Sequence, residues 1–277
     1  MKIKEILKNG IDKLREYSIQ DAILKAQILM ECQLNMSHEK MIVNYEKEME
    51  TNAINEFFEN IDQLIKGKPI QYITNSQNFF GLGFYVDENV LVPQPDTEIL
   101  VEEVIKLRNE MSQKPRILDI CTGSGAIAIA LDKNIEAEIF ASDISNNALQ
   151  VARKNALKLQ AKIKFLKSDM FENIKGKFDV IVSNPPYIEV ETIKNLSIEV
   201  KSEPVIALDG GKDGLKFYRV LAKKSKEHLK NNGFLAVEIG YQQKEKVMEI
   251  FEREGFCEIY SKKDFGGNNR IVVGKWR

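Results

Sequence analysis

The sequence is poor in the residues that most often build metal sites and disulfide frameworks. Its 277 residues include only three cysteines and two histidines. Cys32, Cys121 and Cys257 lie far apart, so they form neither a CxxC ligand pair nor an even-numbered disulfide set. His38 and His228 are isolated from each other and from any metal-binding pattern. We therefore expect no metal ion, and we expect thiols that stay reduced in a cytoplasmic compartment.

Strong net charge and long apolar runs are also missing. The chain has 40 Lys and Arg against 41 Asp and Glu, a formal net charge of −1, so no overall field draws it to nucleic acid or to a membrane surface. Residues 1–10 mix charged and aliphatic side chains, unlike a signal peptide or a membrane span. With 43% hydrophobic and 29% charged residues, the composition is that of a globular protein. We expect a cytoplasmic protein without membrane contact.

Three hydrophobic patterns divide the chain. Apolar residues of 1–75 recur at helical spacing, which predicts a helical N-terminal domain. Residues 76–95 combine aromatic and β-branched side chains with glycines, a pattern typical of a β-hairpin, which we interpret as a linker. Residues 96–277 alternate short apolar runs with amphipathic stretches, which predicts an α/β domain with a parallel sheet. The last two strands, joined by a short turn at 266–269, are predicted to be antiparallel.

An apolar strand runs into a glycine-containing turn in RILDICTGSGAIAIAL, residues 116–131. Glycines let the backbone approach a ligand closely, and free N–H groups at a helix start favour polar ligand atoms. Asp143 ends the next strand about twenty residues after Gly123, where an acidic side chain can bind both ribose hydroxyls. The turn lacks GxGxxG and GK[ST], which disfavours a pyrophosphate loop. The pattern predicts a nucleoside cofactor; the alternative is a tight turn with Asp143 capping a helix.

A second buried strand, FDVIVS, ends in residues 184–187, NPPY. Two consecutive prolines remove two N–H donors and fix φ, so the strand stops and the carbonyls of the turn are held in place. The NH₂ group of an amide or a purine is a poor nucleophile because its lone pair is delocalised. Accepting its hydrogens at the Asn184 side-chain oxygen and the Pro185 carbonyl would stabilise the charge that develops on nitrogen. Tyr187 would stack on the flat acceptor group.

Together these motifs resemble class I S-adenosylmethionine-dependent methyltransferases, and among them the HemK/PrmC type, which methylates the side-chain amide of glutamine in peptide chain release factors. Further blocks extend the resemblance over nearly the whole chain: GKPIQYIT, VLVPQPDTE, EPVIALDGGKDGLKFYR, EIGYQQ and DFGGNNR. The resemblance implies a seven-stranded, mostly parallel sheet in 96–277 and a small all-helical substrate-recognition domain in 1–75. It implies a release factor as the partner.

The resemblance also implies the roles of individual residues. The cofactor would be S-adenosyl-L-methionine, with Asp143 on its ribose and Met170 at its adenine. The cofactor-binding residues that it implies are Cys121, Thr122, Gly123, Ser124, Gly125, Asp143, Met170 and Asn184. The acceptor site that it implies consists of Asn184, Pro185, Pro186 and Tyr187. No metal is implied.

Two positions depart from the family pattern, and one acidic residue has an open role. Cys121 stands where glycine is usual, which leaves the loop geometry intact only if its φ is negative. Gln94 stands where arginine is usual, so a charge-dependent role at that position is absent. Glu238 lies among apolar neighbours on a predicted strand, either as a structural residue or as a support for the NPPY turn.

Two other functions are compatible with the motifs themselves. A nucleic-acid methyltransferase acting on adenine or guanine would meet the same chemical problem with NPPY, but the near-neutral charge and the lack of a separate target-recognition domain count against it. A binding protein that keeps the fold without turnover would not need a preorganised turn at residues 184–187.

Overall fold

The computed structural model describes residues 1–277, which separate into two compact units. The helical unit comprises Met1–Asn75 and Ser197–Ser202, and the sheet unit comprises Ser76–Leu196 and Glu203–Arg277. Residues 76–95, interpreted from the sequence as a linker, fall in the sheet unit, and Phe79 and Phe84 belong to its buried core. None of the helices is both long and apolar enough to cross a membrane.

The first helices of the chain form most of the helical unit. They are α1 (Ile3–Glu16), α2 (Ala22–Leu34), α3 (His38–Val43), α4 (Thr51–Ile65) and α5 (Ile70–Thr74). In α1 the buried residues recur at three- and four-residue spacing and form one apolar face. Gly10 on this face allows α1 to approach α4 closely, because a Cβ there would lie 2.7 Å from Phe57 Cε1. The helical pattern of the sequence thus corresponds to packed helices.

The remaining elements follow in chain order. They are β1 (Gln77–Phe79), β2 (Leu82–Phe84), α6 (Glu98–Lys106), β3 (Arg116–Ile120), α7 (Ala126–Asn134), β4 (Glu138–Asp143), α8 (Asn146–Lys158), β5 (Ile163–Lys167), β6 (Phe178–Ser183), α9 (Val190–Ile193), α10 (Ile198–Lys201), α11 (Val205–Leu208), α12 (Lys216–Ser225), β7 (Leu229–Glu238), α13 (Lys244–Arg253), β8 (Cys257–Lys263) and β9 (Asn269–Lys275). Short 3-10 helices occupy Pro95–Thr97 and Leu107–Glu110. All but α10 lie in the sheet unit.

Segment Ser197–Ser202, which contains α10, joins the helical unit although the sequence pattern assigned it to the α/β domain. Its Ile198 side chain packs against Gly67, where a Cβ would lie 2.6 Å from Ile198 Cγ2. Ser202 Oγ donates a hydrogen bond of 3.2 Å to the Gly67 carbonyl, and Lys25 Nζ pairs with Glu199 at 2.8 Å. These contacts link residues distant in sequence, so hydrophobic periodicity could not reveal them.

A seven-stranded sheet is the centre of the sheet unit. Its strand order is β5-β4-β3-β6-β7-β9-β8, with β9 antiparallel to β7 and β8 and the other neighbours parallel. All six residues of β6 are buried, as expected for a parallel strand covered on both faces. The predicted seven-stranded, mostly parallel sheet with antiparallel closing strands is confirmed. The predicted hairpin is the separate antiparallel pair of β1 and β2.

The register of the sheet brings the two sequence motifs together. Ile120 at the end of β3 pairs with Ser142 of β4 on one side and with Ser183 of β6 on the other. Cys121, Asp143 and Asn184 therefore lie side by side where the chain leaves the sheet, at the edge formed by the carboxyl ends of the adjacent parallel strands β3, β4 and β6. Ligands of open α/β sheets bind in crevices at this edge.

Candidate active site

A cavity of about 260 Å³ lies where β3, β4 and β6 end. Most residues implied by the resemblance line it: Cys121, Thr122, Gly123, Ser124, Asp143, Met170, Asn184 and Pro186. Gly125, Pro185 and Tyr187 do not line it. The cavity is also lined by residues outside the predicted set, among them Phe79, Leu91, Thr97, Ile144, Ile206 and Phe217. The fold thus brings both motifs to one cavity.

The turn after β3 consists of tightly constrained backbone. Cys121, Gly123 and Gly125 have φ of 61°, 54° and 82°, all in the left-handed region. The condition of a negative φ at Cys121 is therefore not met, and this non-glycine residue is strained by roughly 1–2 kcal/mol. Burial raises the pKa of its thiol strongly, so the thiol is neutral. A Cβ on Gly125 would lie 3.2 Å from the Ala152 side chain, so this glycine allows close packing on α8.

Asp119 in β3 stabilises the turn after β3 through a hydrogen bond with Thr122. Its Oδ2 accepts a hydrogen bond of 2.6 Å from Thr122 Oγ1, and the Thr122 backbone N–H donates to the Ser142 carbonyl at 3.0 Å. Burial raises the pKa of the Asp119 carboxyl to about 7. Asp119 therefore fixes Thr122 at the cavity wall.

Asp143 connects the turn after β3 with the loop after β4. Its Oδ2 accepts a hydrogen bond from Gly123 N and its Oδ1 accepts one from Ser145 N, both of 2.9 Å. Burial raises the pKa of the carboxyl, opposed by these backbone hydrogen bonds. The cap of α8 is Ser145, whose Oγ accepts from Ala148 N, so Asp143 is not the capping residue. Each carboxylate oxygen retains a further lone pair for a ligand hydroxyl.

Met170 lies on the cavity wall with its backbone held in an unusual conformation. Its φ is 45°, and its side chain is buried. Ser168 Oγ donates a hydrogen bond of 2.9 Å to the Met170 carbonyl and accepts one of 3.0 Å from Asn173 N. Met170 thus adds an apolar side chain to a stretch of the cavity wall that also includes Ser168 and Asp169.

Asn184 follows β6 and belongs to a hydrogen-bonded chain of side chains. Its Nδ2 donates to Thr97 Oγ1 at 3.3 Å, and Thr97 Oγ1 donates to Glu238 Oε2 at 2.5 Å. Tyr187 Oη donates to the other oxygen of Glu238, Oε1, at 3.4 Å. The role left open for Glu238 is thus a contact with the NPPY turn. Thr97 was missed, because its only sequence signal is its place in VPQPDTE.

Gln94, the second departure from the family pattern, also lines the cavity. Its Nε2 donates a hydrogen bond of 2.9 Å to the Val92 carbonyl. The side chain therefore contacts its own loop and adds no charge to the cavity.

The glycines of EPVIALDGGKDG pack against the NPPY turn. A Cβ on Gly210 would lie 2.6 Å from Tyr187 Cα, and one on Gly214 would lie 2.4 Å from the Tyr187 carbonyl oxygen. Gln243 Nε2 donates to that oxygen at 3.0 Å and to the Gly214 carbonyl at 3.2 Å. Two of the flanking sequence blocks therefore hold the backbone of the turn.

The sheet order, the cavity at the carboxyl ends of the parallel strands and the NPPY turn define a class I methyltransferase. The family description "Methyltransferase small domain" matches residues 94–201, and "PrmC N-terminal domain" matches residues 5–74. The chain belongs to the release factor glutamine methyltransferase family, so the resemblance drawn from the sequence is confirmed.

Relatives that align over nearly their whole length support the assignment to this family. The release factor glutamine methyltransferase of Clostridium acetobutylicum is 41% identical over 99% of this chain and 98% of its own length. That of Clostridium botulinum is 39% identical over 99% of both chains.

Solved structures agree on the fold. A methyltransferase from Pyrococcus furiosus superposes with a TM-score of 0.54 at 20% identity, covering 82% of this chain and 98% of its own. The hMettl16 catalytic domain gives a TM-score of 0.58 at 18% identity, covering 76% of this chain and 82% of its own. At these identities the two structures support the fold alone.

Proposed function

We propose that this chain transfers a methyl group from S-adenosylmethionine to the side-chain amide nitrogen, N5, of a glutamine in a peptide chain release factor. The proposal rests on Asn184 at the cavity wall. Its Nδ2 donates a hydrogen bond to Thr97, which leaves its Oδ1 available to accept a hydrogen bond from the NH₂ group that is methylated. The full-length similarity to release factor glutamine methyltransferases selects an amide as the acceptor. We place the reaction in the cytoplasm, where the three free cysteines stay reduced.

The cavity residues fit the cofactor chemically. When bound, S-adenosylmethionine supplies a methyl group on a positively charged sulfur. Asp143 has unused lone pairs for the two ribose hydroxyls, and the Met170 side chain offers an apolar contact to the adenine. The turn at residues 121–125 brings backbone close to the cavity without phosphate-binding chemistry. In this proposal Cys121, Thr122, Gly123 and Ser124 form one side of the cofactor site, and Gly125 supports them by letting the turn pack closely on α8.

The acceptor chemistry belongs to the NPPY turn. In this proposal the Asn184 oxygen and the Pro185 carbonyl accept the two hydrogens of the glutamine amide, while Pro186 and Tyr187 confine its plane. These hydrogen bonds stabilise the positive charge that grows on nitrogen as it attacks the methyl carbon. The methylated nitrogen is acidic and loses its proton to solvent, so neither a strong base nor a metal is required. Catalysis comes from positioning and from charge stabilisation.

The substitution Asn184→Ala tests this role. Removing one preorganised stabilising group should reduce turnover by about 100- to 1000-fold. Cofactor affinity, measured by calorimetry, should fall much less. Asn231→Ala, at an exposed position in the same unit, is the matched control and should keep normal turnover. Near-normal turnover of Asn184→Ala at saturating substrate would contradict the assigned role.

A further inference from the structure

We infer that Thr97 and Glu238 are positioning residues that fix the orientation of the Asn184 side-chain amide, with its nitrogen held by the protein and its oxygen presented to the acceptor. The inference rests on the proposed function and deepens it. Neither residue carries out chemistry; both act through Asn184.

The donor and acceptor roles along the hydrogen bonds between Asn184, Thr97 and Glu238 determine the orientation of the Asn184 amide. The Thr97 hydroxyl has one hydrogen, which it donates to Glu238 Oε2 at 2.5 Å. Towards Asn184 this hydroxyl therefore offers only lone pairs, and Asn184 Nδ2 donates to it at 3.3 Å. The reversed amide would place Oδ1 against another acceptor. An isolated asparagine could adopt both orientations at similar cost, but this one cannot.

The hydrogen bonds from Asn184 through Thr97 end at the buried carboxyl group of Glu238. Thr97 is 4% exposed and Glu238 is 2% exposed, so water competes little for either group. Burial raises the pKa of Glu238 to about 7, while the hydrogen bond from Thr97 and the charge of Arg270 oppose the shift; Arg270 itself pairs with Asp96 at 3.0 Å and with Asp264 at 2.9 Å. Above this pH the ionised Glu238 can only accept hydrogen bonds, so the Thr97 hydroxyl must be the donor.

Three separate elements contribute to this arrangement. Thr97 ends the 3-10 helix before α6, Asn184 follows β6, and Glu238 ends β7. The contacts span 87 residues between Asn184 and Thr97 and 141 residues between Thr97 and Glu238. All three residues lie in the sheet unit. The blocks VPQPDTE, NPPY and EIGYQQ thus meet at one functional group.

The variants Thr97→Val and Thr97→Ser separate positioning from packing. Valine keeps the shape but removes the hydroxyl, so both amide orientations become accessible. We expect kcat on a release factor to fall about 10- to 100-fold, by analogy with the loss of hydrogen-bond partners that orient metal ligands. Serine keeps the hydroxyl and should restore most of kcat. Cofactor affinity should be unchanged in both variants. Thr192→Val, at an exposed position, is the matched control and should behave like the wild type.

The variant Glu238→Gln tests whether the direction of the hydrogen bond between Thr97 and residue 238 matters, without changing Thr97. A glutamine amide can donate to Thr97, whose hydroxyl is then free to donate to Asn184 and to stabilise the reversed orientation. We expect a similar loss of kcat with little change in cofactor affinity. Full kcat in both Thr97→Val and Glu238→Gln would overturn the inference, as would a Thr97→Ser variant as impaired as Thr97→Val.

A measurement without substrate distinguishes this inference from the proposed function. In protein labelled with ¹⁵N at asparagine, the Asn184 side-chain NH₂ should exchange slowly with solvent in the wild type and faster in Thr97→Val. Equal exchange in the two proteins would overturn the inference whatever the acceptor is. A wild-type protein that shows the protected NH₂ but leaves release factors unmethylated would instead contradict the proposed function.

Discussion

Cys121 and Met170, two non-glycine residues at the cavity wall, have positive φ values. Such residues persist only where the surroundings hold them, and they concentrate at functional sites. Asp143 lines the same cavity and Asp119 is buried behind Thr122 of its wall, and burial raises the pKa values of both carboxyl groups. At the scale of single residues, the site therefore combines a strained backbone with partly desolvated acidic groups.

Asp143→Ala should weaken the binding of S-adenosylmethionine. Losing a charged acceptor of ribose hydroxyls should cost about 1.5–3 kcal/mol, or roughly tenfold to a hundredfold in affinity. Calorimetric titration of the variant with the cofactor measures the change. Glu136→Ala, which removes an exposed carboxylate outside the cavity, should bind as the wild type does. An unchanged affinity in Asp143→Ala would remove Asp143 from the cofactor site.

Glu238 should make stability depend on pH. Burial raises the pKa of its carboxyl from 4.5 to about 7, although hydrogen bonds from Thr97 and Tyr187 and the charge of Arg270 oppose the shift. The folded state therefore binds this proton more tightly than the unfolded state, and the stability due to this group falls as pH rises from about 4.5 to about 7. Glutamine does not titrate. The free energy of unfolding of Glu238→Gln relative to wild type should thus increase over this range.

Denaturant unfolding at a series of pH values checks this prediction. The carboxyls of Asp119 and Glu203, whose pKa values burial also raises to about 7, are present in both proteins and cancel in the difference. A difference that stays constant between pH 4.5 and pH 7 would show that Glu238 is not proton-linked to folding.

The NPPY turn keeps its shape through neighbouring segments. Ile188 N donates to the Leu208 carbonyl at 2.9 Å, and Gly210 N donates to the Ile188 carbonyl at 2.8 Å. The Tyr187 carbonyl accepts from Gln243 Nε2. At the scale of elements, the segment before α12 and the start of α13 together hold the residues that follow β6.

Gly210→Ala should disturb this turn. A Cβ would lie 2.6 Å from Tyr187 Cα and 2.7 Å from its carbonyl carbon, and backbone atoms cannot move aside as a flexible side chain can. We expect a loss of about 1–3 kcal/mol in the free energy of unfolding, as for other overpacked sites, together with lower turnover. Gly83→Ala is the control, since the nearest atom there is Asn78 Oδ1 at 3.7 Å. If both variants unfold at the same denaturant concentration, close packing at Gly210 is unimportant.

Local patterns predicted the elements better than they predicted the contacts between them. The strand of β6 and its NPPY end are continuous in sequence, and Asp143 follows the first motif within one βαβ unit, so spacing was informative. Thr97 and Glu238 are 141 residues apart in the sequence, and hydrophobic periodicity gives no information about contacts between residues so far apart. The left-handed φ of Cys121 was also unpredictable, because cysteine has no preference for that region.

At the scale of the whole molecule, the residues of the site belong to the sheet unit, whereas the helical unit is matched by the PrmC N-terminal domain description. Residues 1–75 carry ten basic and twelve acidic side chains. This balance is unsuited to tracking phosphates. We therefore propose that the helical unit recognises a protein surface, with a release factor as the partner.

The most direct measurement offers both classes of acceptor to the enzyme at once. The wild-type protein is incubated with methyl-labelled S-adenosylmethionine, a release factor and unmodified DNA and RNA, and the labelled residue is mapped by mass spectrometry. We expect label on the N5 nitrogen of a single glutamine of the release factor, lost when that glutamine is replaced, and none on nucleic acid. Label on an exocyclic amine of DNA or RNA, with none on the release factor, would show instead that the acceptor is a nucleobase.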